Sequence, residues 1–148
     1  MSSNRVKVGI VGLGRWAKVL TRAARTSNAL EIVQGFSRSE ESRASFEKEF
    51  GVKSAPSLEA LLGNPEIKGV ILTVPNEQHL PLARDVAKAG KHVYTEKPIA
   101  STLEEGLAIE ALEKTYGVSV TVGHSARLMA GIRAMGKAIE AGELVGRI

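Results

Sequence analysis

A chain of 148 residues, 43% hydrophobic and 24% charged, has the composition of one globular domain with a full core. The absence of cysteine excludes disulfides, zinc–thiolate sites and thiol nucleophiles, and no apolar run reaches the roughly 20 residues of a membrane span. A net charge of +4, with basic residues scattered among acids, argues against nucleic acid as a partner and suits an anionic small molecule. No apolar leader precedes the first strand, so a cytoplasmic location is expected.

Val6, Val8, Ile10 and Val11 form a β-branched run that reads as a strand buried on both faces. It leads into Gly12-Leu13-Gly14-Arg15-Trp16-Ala17, a G-x-G-x-x-A turn, and then into helical periodicity from Arg15 to Thr26. Gly12 turns the chain off the strand, Gly14 lets a pyrophosphate approach the backbone, and Ala17 lets helix and strand pack closely. The helix start then aims free N–H groups at the phosphates. A plain glycine turn in an α/β domain fits the turn alone; the flanking strand and helix favour the nucleotide. Along the helix, Trp16, Leu20, Ala23 and Ala24 form the predicted buried stripe.

Leu30 to Phe36 reads as the second strand, ending in Ser37-Arg38-Ser39 where an NAD-preferring fold usually has an acid. A hydroxyl and a guanidinium suit a 2′-phosphate, so NADP is preferred over NAD; an ordinary helix-capping loop is the alternative. A helix from Glu40 to Phe50 stops at Gly51, Val52 to Ala55 is a candidate short third strand, and Pro56-Ser57 opens a short helix to Leu62. Gly69 to Val74 is a continuous apolar strand broken by Pro75-Asn76. Helix Glu77 to Ala89 follows, with Leu80, Ala83, Val86 and Ala87 on one face and Gly90 as its stop. Lys91 to Thr95 is the fifth strand. Thr102 and Glu105 have capping-box spacing for helix Leu103 to Tyr116, with a predicted stripe of Leu103, Leu107, Ala111 and Leu112. Val118 to Val122 is the sixth strand, and a last helix carries Leu128, Ile132, Met135 and Ile139. Alternating strands and helices predict an α/β, Rossmann-type doubly wound, mostly parallel sheet with helices on both faces. It spans 1–148, with about 124–148 leading onward.

Four stretches together resemble the N-terminal domain of the Gfo/Idh/MocA oxidoreductases, the family of glucose–fructose oxidoreductase and inositol 2-dehydrogenase. They are Gly12 to Ala17, Thr73-Val74-Pro75-Asn76-Glu77-Gln78-His79, Gly90 to Ala100 with Glu96-Lys97-Pro98 at its heart, and Val122-Gly123-His124-Ser125-Ala126-Arg127. The resemblance implies that Lys97 lies beside the nicotinamide and the substrate hydroxyl, where an ammonium orients the alcohol and stabilises a developing alkoxide. Read without the family, Lys97 is an exposed turn lysine. The Lys97-Pro98 bond is a candidate for the cis form common in the family. Asn76 and His79 match a loop near the cofactor ribose and the substrate, although Asn76 also fits an N-cap. Glu96 matches a contact to the ribose or the lysine, with backbone capping as the alternative. Trp16 falls where the family places a ring near the nicotinamide, and helix packing accounts for it too. Arg127 matches an arginine that reaches the cofactor. Gly12, Leu13, Gly14, Arg15, Ser37, Arg38, Thr73 and Pro75 complete the cofactor set, His92 reads as a structural histidine, and no metal is implied.

Family members continue into a second α/β domain that brings an acid–base pair, and Gly142 to Ile148 resembles its lead-in; no such pair follows here. The implied reaction is hydride transfer between nicotinamide and a secondary alcohol or carbonyl of a sugar, cyclitol or related polyol. This chain supplies the cofactor half and is expected to turn over poorly by itself. An uncovered sheet edge and the last helix are expected to meet a second domain or another copy. The alternative function is a non-catalytic dinucleotide-binding or sensing module, independent of Lys97. An adenosylmethionine-dependent methyltransferase is disfavoured, because Ser37-Arg38 replaces its usual acid.

Overall fold

The computed structural model describes residues 5–143. Residues 1–4 and 144–148, on which the expectations of no leader and of a lead-in to a second domain partly rest, lie outside the described residues. In chain order the elements are β1 (Val6–Val11), α1 (Arg15–Arg25), β2 (Leu30–Phe36), α2 (Glu40–Phe50), α3 (Leu58–Leu62), β3 (Gly69–Leu72), α4 (His79–Lys88), β4 (His92–Thr95), α5 (Leu103–Tyr116), β5 (Val120–Val122) and α6 (Ala130–Glu140). Short 3-10 turns lie at Asn76–Gln78 and Ser125–Leu128.

The five strands pair in parallel in the order β2-β1-β3-β4-β5. The order reverses between β1 and β3, so their carboxyl ends flank the crevice where open α/β sheets take ligands. The expected strand Val52–Ala55 is instead a single parallel bridge, Ser54 to Gly35. Gly35 N–H donates to Lys53 O at 3.0 Å and Ala55 N–H to Gly35 O at 2.7 Å, and Pro56, with no N–H, follows directly. With that bridge counted beside β2, the succession is that of the Rossmann sheet.

The sheet buries side chains on both faces. Val8, Ile10, Leu13, Ala17, Ile32, Phe46 and Phe50 pack with α1 and α2 on one side. Leu61, Val70, Leu72, Ala83, Val86, Val93 and Leu112 form the other core with α3, α4 and α5. Helix ends follow their sequence signals: Ser39, Ser57 and Thr102 accept N-cap hydrogen bonds, and Gly51 and Gly117 close α2 and α5 in the left-handed conformation.

Two predicted stripes are corrected. On α1 the buried row is Ala17 and Thr21, while Trp16 is 44% exposed and Ala23 lies outside. On α5 the buried residues are Ile109 and Leu112, while Leu103 and Leu107 are 80% and 55% exposed and Ala111 is exposed. In both helices apolar residues occupy more than one face, and packing against a neighbour selects the row that small or branched side chains allow. Leu128 ends a 3-10 turn rather than joining the last helix, and it is exposed, as are Ile132, Met135 and Ile139 of α6. No helix among the described residues is long and apolar enough to cross a membrane.

Candidate nucleotide-binding site

The turn after β1 is fixed by two contacts that need glycine and threonine at these positions. Gly12 has φ +90°, and a Cβ there would lie 2.6 Å from Thr73 O and 2.8 Å from Val74 Cγ1. The Thr73 hydroxyl donates to Gly12 O at 2.5 Å, with Val11 O at 3.2 Å, so the end of β3 pins the turn. Gly14 is different: a Cβ would meet nothing within 4 Å, which leaves open space against the main chain where a pyrophosphate needs close approach. Gly14 is the N-cap of α1 and makes no side-chain cap bond, and the first turn carries no acid. Those free N–H groups and the positive end of the helix dipole face that space, so the cradle fits a dinucleotide phosphate. Leu13 is buried with its side chain against Gly35 and offers only main chain to the groove.

The groove that opens from this turn, about 850 Å³, is lined by Gly12, Leu13, Gly14, Ser37, Arg38, Thr73 and Pro75, among others. Ser39 caps α2 by accepting from Ser42 N–H at 3.2 Å, which leaves Ser37 and Arg38 for the groove wall. Two charged lining residues, Arg43 and Glu59, carry no expectation from the sequence. Arg43 Nη1 donates to Ser37 O at 2.6 Å and to Arg38 O at 3.3 Å, holding that loop from one helical turn away. Glu59 of α3 also lines the groove, and hydrogen bonds from its own backbone N–H and from Ser57 hold its carboxyl below the usual carboxylate range. Arg43 was findable as a base beside an anion-binding loop; Glu59 had no local signal.

A second cleft, about 340 Å³, adjoins the first through Thr73 and Val74 and is lined by Arg15, Trp16, Asn76, Glu96 and Lys97. Asn76 is the first residue of a 3-10 turn whose N-cap is Pro75, and the N-cap of α4 is Gln78, so the N-cap alternative falls away. The exposure of Trp16 likewise removes helix packing as its explanation. Lys97 is exposed, and the bond to Pro98 is cis. Glu96 is half-buried and caps no backbone group among the described residues; its Oε1 accepts from the Tyr94 hydroxyl at 3.2 Å.

His79 does not reach either cavity. It is 0% exposed, with Nδ1 at 3.1 Å from Pro98 O and 3.2 Å from Ile99 O, and Nε2 at 3.1 Å from Val74 O. The expectation that it meets ribose or substrate is corrected: the ring is fully buried with both nitrogens facing main-chain carbonyls, and it ties the end of β3 to the Lys97-Pro98 turn. Arg127 lines neither cavity; it belongs to the exposed 3-10 turn beyond β5 and is not brought to the groove. His92 accepts from Ser119 N–H through Nδ1 at 3.0 Å, as a structural histidine does. Among the described residues no cluster of three metal-ligating side chains forms.

A nucleotide cradle at the reversal of a parallel sheet, opening toward a lysine at the end of β4, defines an α/β dinucleotide-binding domain. The chain matches the family model described as an oxidoreductase family with an NAD-binding Rossmann fold over residues 6–124, and it belongs to that Gfo/Idh/MocA family. It is 34% identical over 137 residues to 1,5-anhydro-D-fructose reductase of Ensifer adhaerens, covering 92% of this chain and 41% of that protein. Biliverdin reductase of Synechocystis, solved with biliverdin and NADP+, is 32% identical with a TM-score of 0.79, covering 91% and 43% of the two chains. The WlbA dehydrogenase of Bordetella pertussis, solved with NADH and UDP-GlcNAcA, is 29% identical with a TM-score of 0.89, covering 96% and 41%. The chain thus spans about two fifths of the length of the relatives it matches.

Proposed function

We propose that this chain is the cofactor-binding part of an NAD(P)-dependent oxidoreductase that passes hydride between a nicotinamide and a secondary alcohol or carbonyl of a sugar, cyclitol or related polyol. The observation that carries the reading is the continuity of the glycine-turn groove with the Lys97 cleft through Thr73 and Val74. The nicotinamide, when bound, supplies the hydride chemistry. The chain's own residues bind and orient. The main chain at Gly14 and the start of α1 hold negative charge. Asn76, Trp16 and Glu96 bound the far cleft. Lys97 is the catalytic residue of this domain, its ammonium stabilising an alkoxide as it develops. The anhydro-sugar name of the Ensifer relative supports the substrate class. The resemblance assigns the rest of the substrate pocket to a second α/β domain.

NADP is the preferred cofactor in this reading, because Ser37 and Arg38 line the groove and Arg43 fixes their loop. Calorimetric titration of the chain with NADPH and NADH tests it. Tighter binding of NADPH is expected, with Arg38→Ala weakening NADPH by about tenfold and leaving NADH within about twofold. Tighter binding of NADH would hand the ribose end to Glu59 and overturn the preference. Binding of neither would overturn the cofactor reading of this chain.

A further inference from the structure

We propose that Tyr94 is a positioning residue that holds the Glu96 carboxylate at the Lys97 cleft, and that residue 123 is glycine to leave room for this pair. The inference rests on the cofactor reading and adds to it the residue that fixes the cleft's acid. Tyr94 belongs to β4 and Glu96 follows its end, and the two-residue period of a strand puts both on one face of the sheet. Tyr94 Oη donates to Glu96 Oε1 at 3.2 Å. Burial first, then the charge of Glu96 and this hydrogen bond, push the phenol up to about 12, so near neutrality Tyr94 is a donor.

The neighbouring strand closes the arrangement. Gly123 N–H donates to Thr95 O at 2.8 Å, which draws its Cα against the pair. A Cβ at this position would overlap Tyr94 Oη and lie 2.8 Å from Glu96 Oε1, so any side chain would displace at least one of the two from its present place. On the cleft side the charged residues that share the lining with Glu96 are Arg15 and Lys97. A carboxylate near two cations on different elements has more than one direction in which to turn. The phenol removes that choice by engaging Oε1 and leaves Oε2 for a ligand hydroxyl. Tyr94 stands between Ile71 and Thr121, its partners on the two neighbouring strands, and carries its polar tip at the end of the ring.

The test is a double-mutant cycle read by calorimetric titration of the folded chain with NADPH and NADH. Tyr94→Phe and Glu96→Ala are each expected to weaken the better cofactor by about three- to tenfold. Tyr94→Phe added to Glu96→Ala is expected to change affinity by less than about twofold, because its effect passes through the carboxylate. An unchanged affinity in Tyr94→Phe, or the same loss in both backgrounds, overturns the inference and leaves the cofactor reading standing. A wild-type chain that binds neither cofactor overturns that reading and the inference with it. A second measurement needs no cofactor and no change at Tyr94. Tyr116→Phe leaves Tyr94 as the one tyrosine of the chain, and its 13Cζ resonance is expected to move on Glu96→Ala. An unmoved resonance denies the hydrogen bond and overturns the inference.

Discussion

Strand β4 carries a lysine at each end, one that holds the sheet together and one that faces the cleft. Lys91, at the amino edge, is buried, and its Nζ donates to Asn64 O and Ile67 O at 2.8 Å each. Lys97, past the carboxyl edge, is exposed beside Arg15, Trp16 and Asn76. The side chain is the same and the strand is the same; the loops differ. The segment between α3 and β3 folds over the foot of β4 and presents the carbonyls of Asn64 and Ile67 to the amine, whereas the strand tops end at an open crevice. Burial, with a smaller push from Lys68, holds the Lys91 amine below the ordinary lysine value of 10.5. A charge committed to main-chain carbonyls serves stability, whereas a charge exposed at a cleft is open to a ligand.

The histidines extend the contrast, and the largest expected effect lies with them. His79→Ala removes a fully buried ring and its contacts to the carbonyls of Val74, Pro98 and Ile99. A loss of about 3 kcal/mol in urea unfolding is expected, with weaker cofactor binding as the Lys97-Pro98 turn loosens. A variant as stable as wild type would put His79 back among the ligand-facing residues.

Gly12→Ala comes next, at about 2 kcal/mol, because it adds a Cβ against Thr73 O at positive φ. Gly14→Ala sharpens the comparison within one turn: its Cβ meets nothing, so stability should shift by less than about 1 kcal/mol while dinucleotide affinity drops. Equal effects of the two on stability would show that the turn has no division of labour.

Lys91→Met is expected to cost between about 1 and 3 kcal/mol by leaving Ile67 O without its donor and Asn64 O with the Ile67 N–H alone, with cofactor affinity unchanged. Its pH dependence gives a second readout. The folded pKa of Lys91 lies below the unfolded one, so between the two values the unfolded chain binds more protons and stability rises with pH. That rise, just below pH 10.5, should vanish in Lys91→Met and persist in Lys97→Met. Smallest of all, Lys97→Met should leave stability within about 0.5 kcal/mol of wild type. A marked destabilisation would make Lys97 a second structural lysine and break the contrast.

How much of this was legible in the sequence depends on the distance over which each feature is decided. The bounds of β1, β2 and α2, the caps at Ser39, Ser57 and Thr102 and the turn at Gly12 were all readable, since each is set by residues a few positions apart. The candidate site was readable as motifs at strand ends. The buried faces of α1 and α5 were misassigned where apolar residues lay on more than one side and only a neighbour could choose between them. The expected strand Val52–Ala55 pairs at a single bridge, because local propensity says nothing of how far a partner strand runs alongside.

By itself, then, the sequence determined an alternating α/β chain with a glycine turn after its first strand, because backbone freedom, periodicity and capping act locally, while the Glu96-Lys97-Pro98 run took its meaning from the family resemblance. Tertiary structure alone decided that His79 is a buried tie, that Lys91 is a clamp, that Arg43 and Glu59 join the groove wall, that Arg127 stays outside it and that Tyr94 holds Glu96. Those roles depend on which carbonyls, cations and strands are brought within hydrogen-bond range from far along the chain, and hydrogen bonds do not act beyond that range.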